Sequence, residues 1–396
     1  MINKINLAKN FLKEHDYDAW IIYDYECSND ALISFLGKRF VTRKVFLVIR
    51  KEEKPFIIAH TIDLAHLDEK EVTSQFDLVT YRTWNDLMNV LKEHISPFKK
   101  VLMEISDNGA LPKSSYCDYG TVNLIKSFGV EVFSSADLLM SYTSTYEGES
   151  LNSQYRAMAI TANAKDKAFK FIEDSLRNGQ HITEYDVMKL ITDEFDKNNL
   201  EYDSNPIVAV NGNAGNPHYE PTKEQCTEIK KGDLILIDLW AKEKSEDAVY
   251  ADITWMGYAG KNPPQKYIDL FNILKESIDY GLEFINQNIN KRMICGYEVD
   301  EAVRSVLRKY GQDQYLIHRV GHSISIDVTP HGKGVNIDNY ETHDTRHILN
   351  HVGFSIEPGI YTDEYGLREE IDVYIDNNKA ISVAPRQETL ILLNVD

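Results

Sequence analysis

The chain has 396 residues, 43% of them hydrophobic and 27% charged, with a formal net charge of −19. That length accommodates two domains with sizeable cores, and that acidity speaks against a nucleic-acid binder, which needs a basic face. Cys27, Cys117, Cys226 and Cys295 are scattered and form no CxxC pair, so a zinc ribbon or redox dithiol is not expected and a reducing compartment is.

The first stretch, MINKINLAKNFLKEHDYDAW, carries charges among its apolar positions. It reads as an amphipathic helix with Ile5, Leu7, Phe11 and Leu12 on its buried face, not as a signal peptide. No apolar run approaches the length of a membrane span. A cytoplasmic protein that touches no membrane is expected. Strands are predicted at Ala19–Tyr23, Val45–Ile49, Pro55–Ala59, Leu78–Tyr81, Val101–Glu104 and Val130–Phe133, with helices near Trp84–His94 and Tyr119–Ser127. Strands alternating with helices predict an α/β domain over residues 1–145.

The small, polar stretch TSTYEGES at 143–150 marks the boundary. A second domain, residues 146–396, opens on a long helical pattern from Leu151 to Leu176. Gly179 breaks it, and Thr183 with Asp186 resembles a capping box for the next helix. A strand at Ile207–Val210 runs into the bent loop NGNAGNPHYEP. Later come two amphipathic helices, Pro263–Asn288 and Val299–Tyr310. Strong strands are predicted at Phe354–Tyr361 and Glu370–Ile375.

Between these lies LILIDLWAKEKSEDAVYADITWMGY, two apolar runs that each carry a carboxylate. A hairpin would set Asp238 and Asp252 side by side. Two acids in an apolar setting repel, and a cation between them relieves the repulsion. Downstream, His322, Glu357 and Glu370 each lie at or beside a strand-like run. Four carboxylates and one imidazole suit two divalent cations, with Mn²⁺, Fe²⁺, Co²⁺ and Zn²⁺ favoured by hard donors plus one nitrogen. Such a pair would make hydroxide available at neutral pH. Taken singly, each residue has a plainer reading: an Asp at a strand end is most often a cap, and a lone His is most often a structural hydrogen-bonder.

The strings IDLW, ADITW, HRVGHSI, SIEPGIY and LREEIDV, in that order, resemble the metallopeptidase family of aminopeptidase P, prolidase and methionine aminopeptidase (family M24). The resemblance covers residues 150 to 396. It implies an α+β pita-bread catalytic domain. The region before it resembles the α/β N-terminal domain of aminopeptidase P, prolidase and creatinase. Carried over, Asp238 would chelate one metal, Asp252 and Glu370 would bridge two, and His322 and Glu357 would complete the second. Mn²⁺ is the first choice of ion, with Co²⁺, Zn²⁺ or Fe²⁺ as alternatives. Glu357 would also shuttle protons while a metal-bridged hydroxide attacks. His218 and His318 match substrate-contacting histidines, and His218 is expected to take part in catalysis with His331 and Glu357. Arg368 matches an arginine that orients substrate or the ligands. The implied substrate is a peptide with proline at its second position, and the implied assembly is a homodimer.

Departures from the pattern accompany the match. The family's second active-site histidine follows the metal histidine closely, but this chain reads DVTPHGKG. Either His331 fills that place across a bulged loop and donates to the oxyanion, or Thr329 does. His343 is a weaker candidate, and Asp344 with Arg346 would tie its loop together. Trp240 stands where a small residue is usual and Trp255 where arginine is usual. Two tryptophans packed against each other in the core is the plainer expectation for them. The insert KEKSEDA lengthens the hairpin loop. Beside Xaa-Pro hydrolysis stand two alternatives: hydrolysis of a non-peptide amide, as in ectoine-hydrolase or creatinase-like relatives, and a non-catalytic peptide-binding module.

Overall fold

The computed structural model describes residues 2–37, 39 and 41–395. Positions 1 and 396, the outer ends of the two expected domains, lie outside that description. The chain divides into two units, Met1–Tyr142 and Thr143–Asp396.

The first unit is built on a six-stranded sheet: β1 (Ala19–Asp24), β2 (Val45–Arg50), β3 (Phe56–His60), β4 (Asp77–Tyr81), β5 (Lys100–Met103) and β6 (Glu131–Ser134), in the order β4-β3-β2-β1-β5-β6. Successive side chains leave a strand on opposite faces. Trp20, Ile22, Leu47 and Ile49 enter a core with Ile5, Ala8 and Leu12 of the helix Ile2–Glu14. Ile21, Tyr23, Phe46 and Val48 enter another with Leu87 and Leu91 of Trp84–Ile95 and Ile125 of Tyr119–Ser127. Both faces are covered, which is the α/β layering expected. Leu7 departs from expectation and is 39% exposed. The buried stripe of that helix runs Ile5–Ala8–Leu12, a 3.6-residue spacing that leaves Leu7 outside.

The second unit is α+β. Its strands are β7 (Leu200–Glu201), β8 (Ile207–Val210), β9 (Leu234–Glu243), β10 (Ala251–Tyr258), β11 (Ser323–Ile324), β12 (Gly353–Ile356), β13 (Gly359–Tyr361), β14 (Gly366–Arg368), β15 (Ile371–Asp376), β16 (Lys379–Ser382) and β17 (Ile391–Leu392). One sheet runs β17-β10-β9-β7, with β8 also on β9; a second runs β11-β12-β15-β16; β13 and β14 pair separately. Helices Glu149–Arg177 and Glu184–Lys197 pack with the first sheet's strands, and Gln265–Asn288 packs on Gly296–Lys309 and on β16. Thr183 and Asp186 form the capping box expected at the second of these helices.

The predicted strand Phe354–Tyr361 is two strands, broken at Glu357–Pro358. Proline has no N–H to give the ladder, so the chain leaves the sheet there and Glu357 stands free of it. The two larger sheets meet where the Asp252 N–H donates to Asp372 Oδ2 (3.0 Å) and the Glu370 N–H to the Thr254 carbonyl (3.3 Å).

Candidate metal centre

The β9–β10 hairpin pairs Thr254 with Asp238 and Asp252 with Trp240. Asp238 and Asp252 are therefore side by side on one face, as diagonal neighbours and not as a directly opposed pair. Their Cα atoms sit roughly 7 Å apart in such a ladder, which leaves room for an ion between the carboxyl ends. The same register overturns the expectation that Trp240 and Trp255 pack together. Trp255 lies an odd number of residues from Asp252 and faces the other way, its ring 3.5 Å from Lys165 Nζ. Trp240 stays on the face of the two acids, and its indole N–H donates to Asp203 Oδ1 (2.7 Å).

The remaining ligand candidates come from the other sheet. Glu370 immediately precedes β15, and the Thr254 hydroxyl donates to its Oε2 (2.8 Å). Glu357, at the strand break, accepts from the Ser355 hydroxyl (3.2 Å). The same Ser355 Oγ accepts from the His322 N–H (2.9 Å). This contact depends on Gly321, where a Cβ would lie 2.0 Å from the Ser355 carbonyl oxygen; any side chain there would push His322 away.

His322 Nδ1 is 3.2 Å from the Ser323 carbonyl. That oxygen accepts only, so Nδ1 carries the proton and Nε2 presents a lone pair. Nε2 lies 3.5 Å from Asp252, 3.6 Å from Glu357 and 3.8 Å from Glu370. These gaps are too long for hydrogen bonds. They match the spacing of two ligands around one ion at bonds of about 2.1 Å. Asp252, His322 and Glu370 each offer one atom within a 4.8 Å cluster. Asp238 Oδ1 is buried and has no hydrogen-bond partner. Burial, then neighbouring carboxylates, push Asp252 and Glu370 well above the usual carboxylate range, and burial raises Glu357 as well. Burial holds the His322 imidazole neutral. A neutral nitrogen facing several mutually repelling acids, one with an orphaned oxygen, fits a divalent-cation site.

Arg368 is the buried countercharge. It donates to Asp238 Oδ2 through Nη2, to Thr254 Oγ1 (3.1 Å) and to the Tyr361 hydroxyl (3.0 Å). His318 donates through Nδ1 to the Arg319 carbonyl (2.6 Å), so its Nε2 accepts from the Tyr361 O–H (2.8 Å). Burial and then the Arg368 charge pull its pKa down to about 3. His331 stands with its ring 4.3 Å from that of His322, edge to face. Thr329 instead bonds within its own loop, to the His331 carbonyl (3.3 Å). Asp344 and Arg346 tie theirs, Arg346 Nε donating at 3.0 Å, while His343 stacks on Tyr297.

All nine expected residues, Asp238, Asp252, His322, Glu357, Glu370, His218, His318, His331 and Arg368, line one cavity of about 290 Å³; Thr329 is not in its wall. Thr254, Ser355, Tyr361, Asp372 and Asp203 were not foreseen. For three of them a signal existed. Thr254, Ser355 and Asp372 each lie two residues from a ligand candidate, the spacing that returns a strand to the same face.

Residues 155–377 match the model of metallopeptidase family M24. The chain is 27% identical over 229 residues to a putative Xaa-Pro aminopeptidase of Mycoplasma genitalium, a match covering 57% of this chain and only 58% of that relative. It is 23% identical over 403 residues to the putative dipeptidase YkvY of Bacillus subtilis, covering 99% of this chain and 100% of the relative. Among solved structures, the dipeptidase PepE from Mycobacterium ulcerans is similar with a TM-score of 0.64 at 20% identity, covering 99% and 97% of the two chains. That likeness establishes the fold: an α/β N-terminal domain followed by a pita-bread α+β domain.

Proposed function

The chain belongs to metallopeptidase family M24, and we propose that it hydrolyses the Xaa-Pro bond at peptide N-termini, as an Xaa-Pro aminopeptidase or an Xaa-Pro dipeptidase. The observation that carries this reading is the arrangement of Asp252, Glu357 and Glu370 around an imidazole lone pair at 3.5–3.8 Å, with Asp238 Oδ1 unpartnered beside them. Asp238, Asp252, His322, Glu357 and Glu370 would hold two divalent cations, Mn²⁺ before Co²⁺, Zn²⁺ or Fe²⁺. The chemistry such ions supply when bound is an acidified water and a polarised carbonyl.

The chain's own residues do the rest. Glu357 takes the proton of the attacking water and returns it to the departing nitrogen. Proline's nitrogen has no N–H before cleavage and must gain one to leave. His331 donates to the carbonyl oxygen as charge develops there. His218, at the exposed rim, contacts the peptide. Both ring nitrogens of His318 are engaged within the protein, so it meets substrate through its ring edge or by releasing Tyr361. Arg368 holds Asp238 in its ligand pose.

A homodimer in the cytoplasm belongs to the same reading. Among the described residues no helix is long and apolar enough to cross a membrane. Light scattering on the purified protein tests the dimer. The decisive assay is a panel of Mn²⁺-, Co²⁺- and Zn²⁺-loaded protein against Xaa-Pro dipeptides, Xaa-Pro-Yaa tripeptides and non-proline controls. Cleavage of dipeptides alone identifies a dipeptidase, and cleavage of longer peptides an aminopeptidase. Inactivity on every proline peptide with metal bound overturns the proposal.

A further inference from the structure

Two places where this chain departs from its relatives' pattern, the lengthened β9–β10 hairpin and the stretched loop before His331, touch each other. Along β9, Asp238, Trp240 and Lys242 share one face by strand alternation. Lys242 is buried, and its Nζ donates to the carbonyl of Asp327 (2.7 Å). Tyr250, just before β10, is 1% exposed, and its hydroxyl donates to the carbonyl of Val328 (3.1 Å). Lys242 Nζ also sits 5.3 Å from the Tyr250 ring and 3.3 Å from Glu201 Oε1, so its charge is compensated while it holds the loop.

The far end of the loop is fastened too. Gly332 N–H donates to the Ser323 carbonyl (2.7 Å) and Gly334 N–H to the Ser323 hydroxyl (2.8 Å). A Cβ on Gly332 would lie 2.3 Å from Ser325 Oγ, so this end closes tightly on the strand that follows His322. Thr329, Pro330 and His331 lie between the two anchored ends, and their course sets the ring beside His322. A bulged loop of this kind has more conformations to choose among; two carbonyl clamps upstream remove them.

We infer that Lys242 and Tyr250 are positioning residues for His331, and that the base of the β9–β10 hairpin braces the loop that carries it. The inference rests on the reading of His331 as a donor to the reacting carbonyl, yet its test is separable from that reading. Lys242→Met keeps the length and removes the donor; Tyr250→Phe removes one hydroxyl and serves if the first variant does not fold. Each is expected to lower kcat about tenfold or more, with KM and bound metal unchanged. Adding either change to His331→Ala should produce no further loss.

On Zn²⁺-loaded protein labelled with ¹⁵N-histidine, the His331 signals are identified by their absence in His331→Ala. They should shift or broaden in Lys242→Met and Tyr250→Phe while the His218 signals stay put. Unmoved His331 signals in both variants overturn the inference, as do losses that multiply in the double variants. If His331→Ala leaves turnover intact, the donor role falls, and the histidine spectra alone decide the brace.

Discussion

Each unit buries carboxylates, and Glu104 in the first differs from the cluster in the second in how its oxygens are satisfied. In the first unit Glu104 is fully buried and accepts from the Trp20 indole (2.6 Å), the Asn29 amide (2.9 Å) and the Ser135 hydroxyl (2.9 Å). In the second, Asp252, Glu357 and Glu370 gather at 3.5–3.8 Å around a nitrogen with no proton to give, and Asp238 leaves one oxygen without a donor. A buried acid with a full set of donors is part of the architecture. A group of buried acids short of donors needs a charge from outside the chain.

The strongest way to break this contrast is to remove a ligand. Asp252→Ala or Glu370→Ala should abolish metal binding, read by elemental analysis, and lower kcat/KM by about a thousandfold or more. The first unit should keep its cooperative unfolding in both. Full activity in either variant would end the metal-centre reading.

The next largest effect lies in the first unit and depends on pH. Burial raises the Glu104 pKa from 4.5 to about 7, against the pull of its three donors. Below pH 4.5 the folded and unfolded chains both hold this proton. Between 4.5 and 7 only the folded chain does, so its contribution to stability is present at the acid end and is lost as pH rises through about 7. The span corresponds to about 3 kcal/mol. Urea midpoints of metal-loaded protein should fall over that range, and Glu104→Gln should flatten the fall while leaving metal content unchanged. Identical pH profiles for the two proteins would count against the assignment.

Smaller effects sharpen the picture of the site. Thr254→Val deprives Glu370 of its donor and Arg368 of one acceptor; competition with a chromophoric chelator should show metal affinity weaker by about ten- to a hundredfold. Smallest of all, Trp240→Phe removes the bond to Asp203 at the cavity wall and should change KM a few-fold, on the scale of one hydrogen bond of about 1 kcal/mol. Trp255→Phe, on the opposite face, should leave KM where it was. Equal effects from the two would mean the register of the hairpin is misread.

Much of this was legible in the residue order. Apolar runs that each carry an acid marked β9 and β10, and flanking strings tied His322, Glu357 and Glu370 to them. What escaped depended on register or on distant pairing. Trp240 and Trp255 look alike in a string and face opposite ways once the hairpin is aligned. Asp203 reaches Trp240 from a separate segment, and no local spacing announces that. Pro358 was in view, but its effect on the Phe354–Tyr361 strand depended on which residues had to pair. Ser355 and Thr254 carried a usable signal, an offset of two from a ligand.

The hairpin register also separates what can vary from what cannot. Residues 244–247 at its tip are exposed, and doubling the length of a flexible loop adds only about 0.6 kcal/mol of closure entropy. Lengthening the tip therefore leaves every ligand in place. Deleting one residue between Asp238 and Lys242 would send Lys242 to the opposite side of the sheet from Asp238. Insertions belong beyond Lys242, where the chain has a natural port for a grafted segment or a reporter; within the strand, parity is conserved by the chemistry itself.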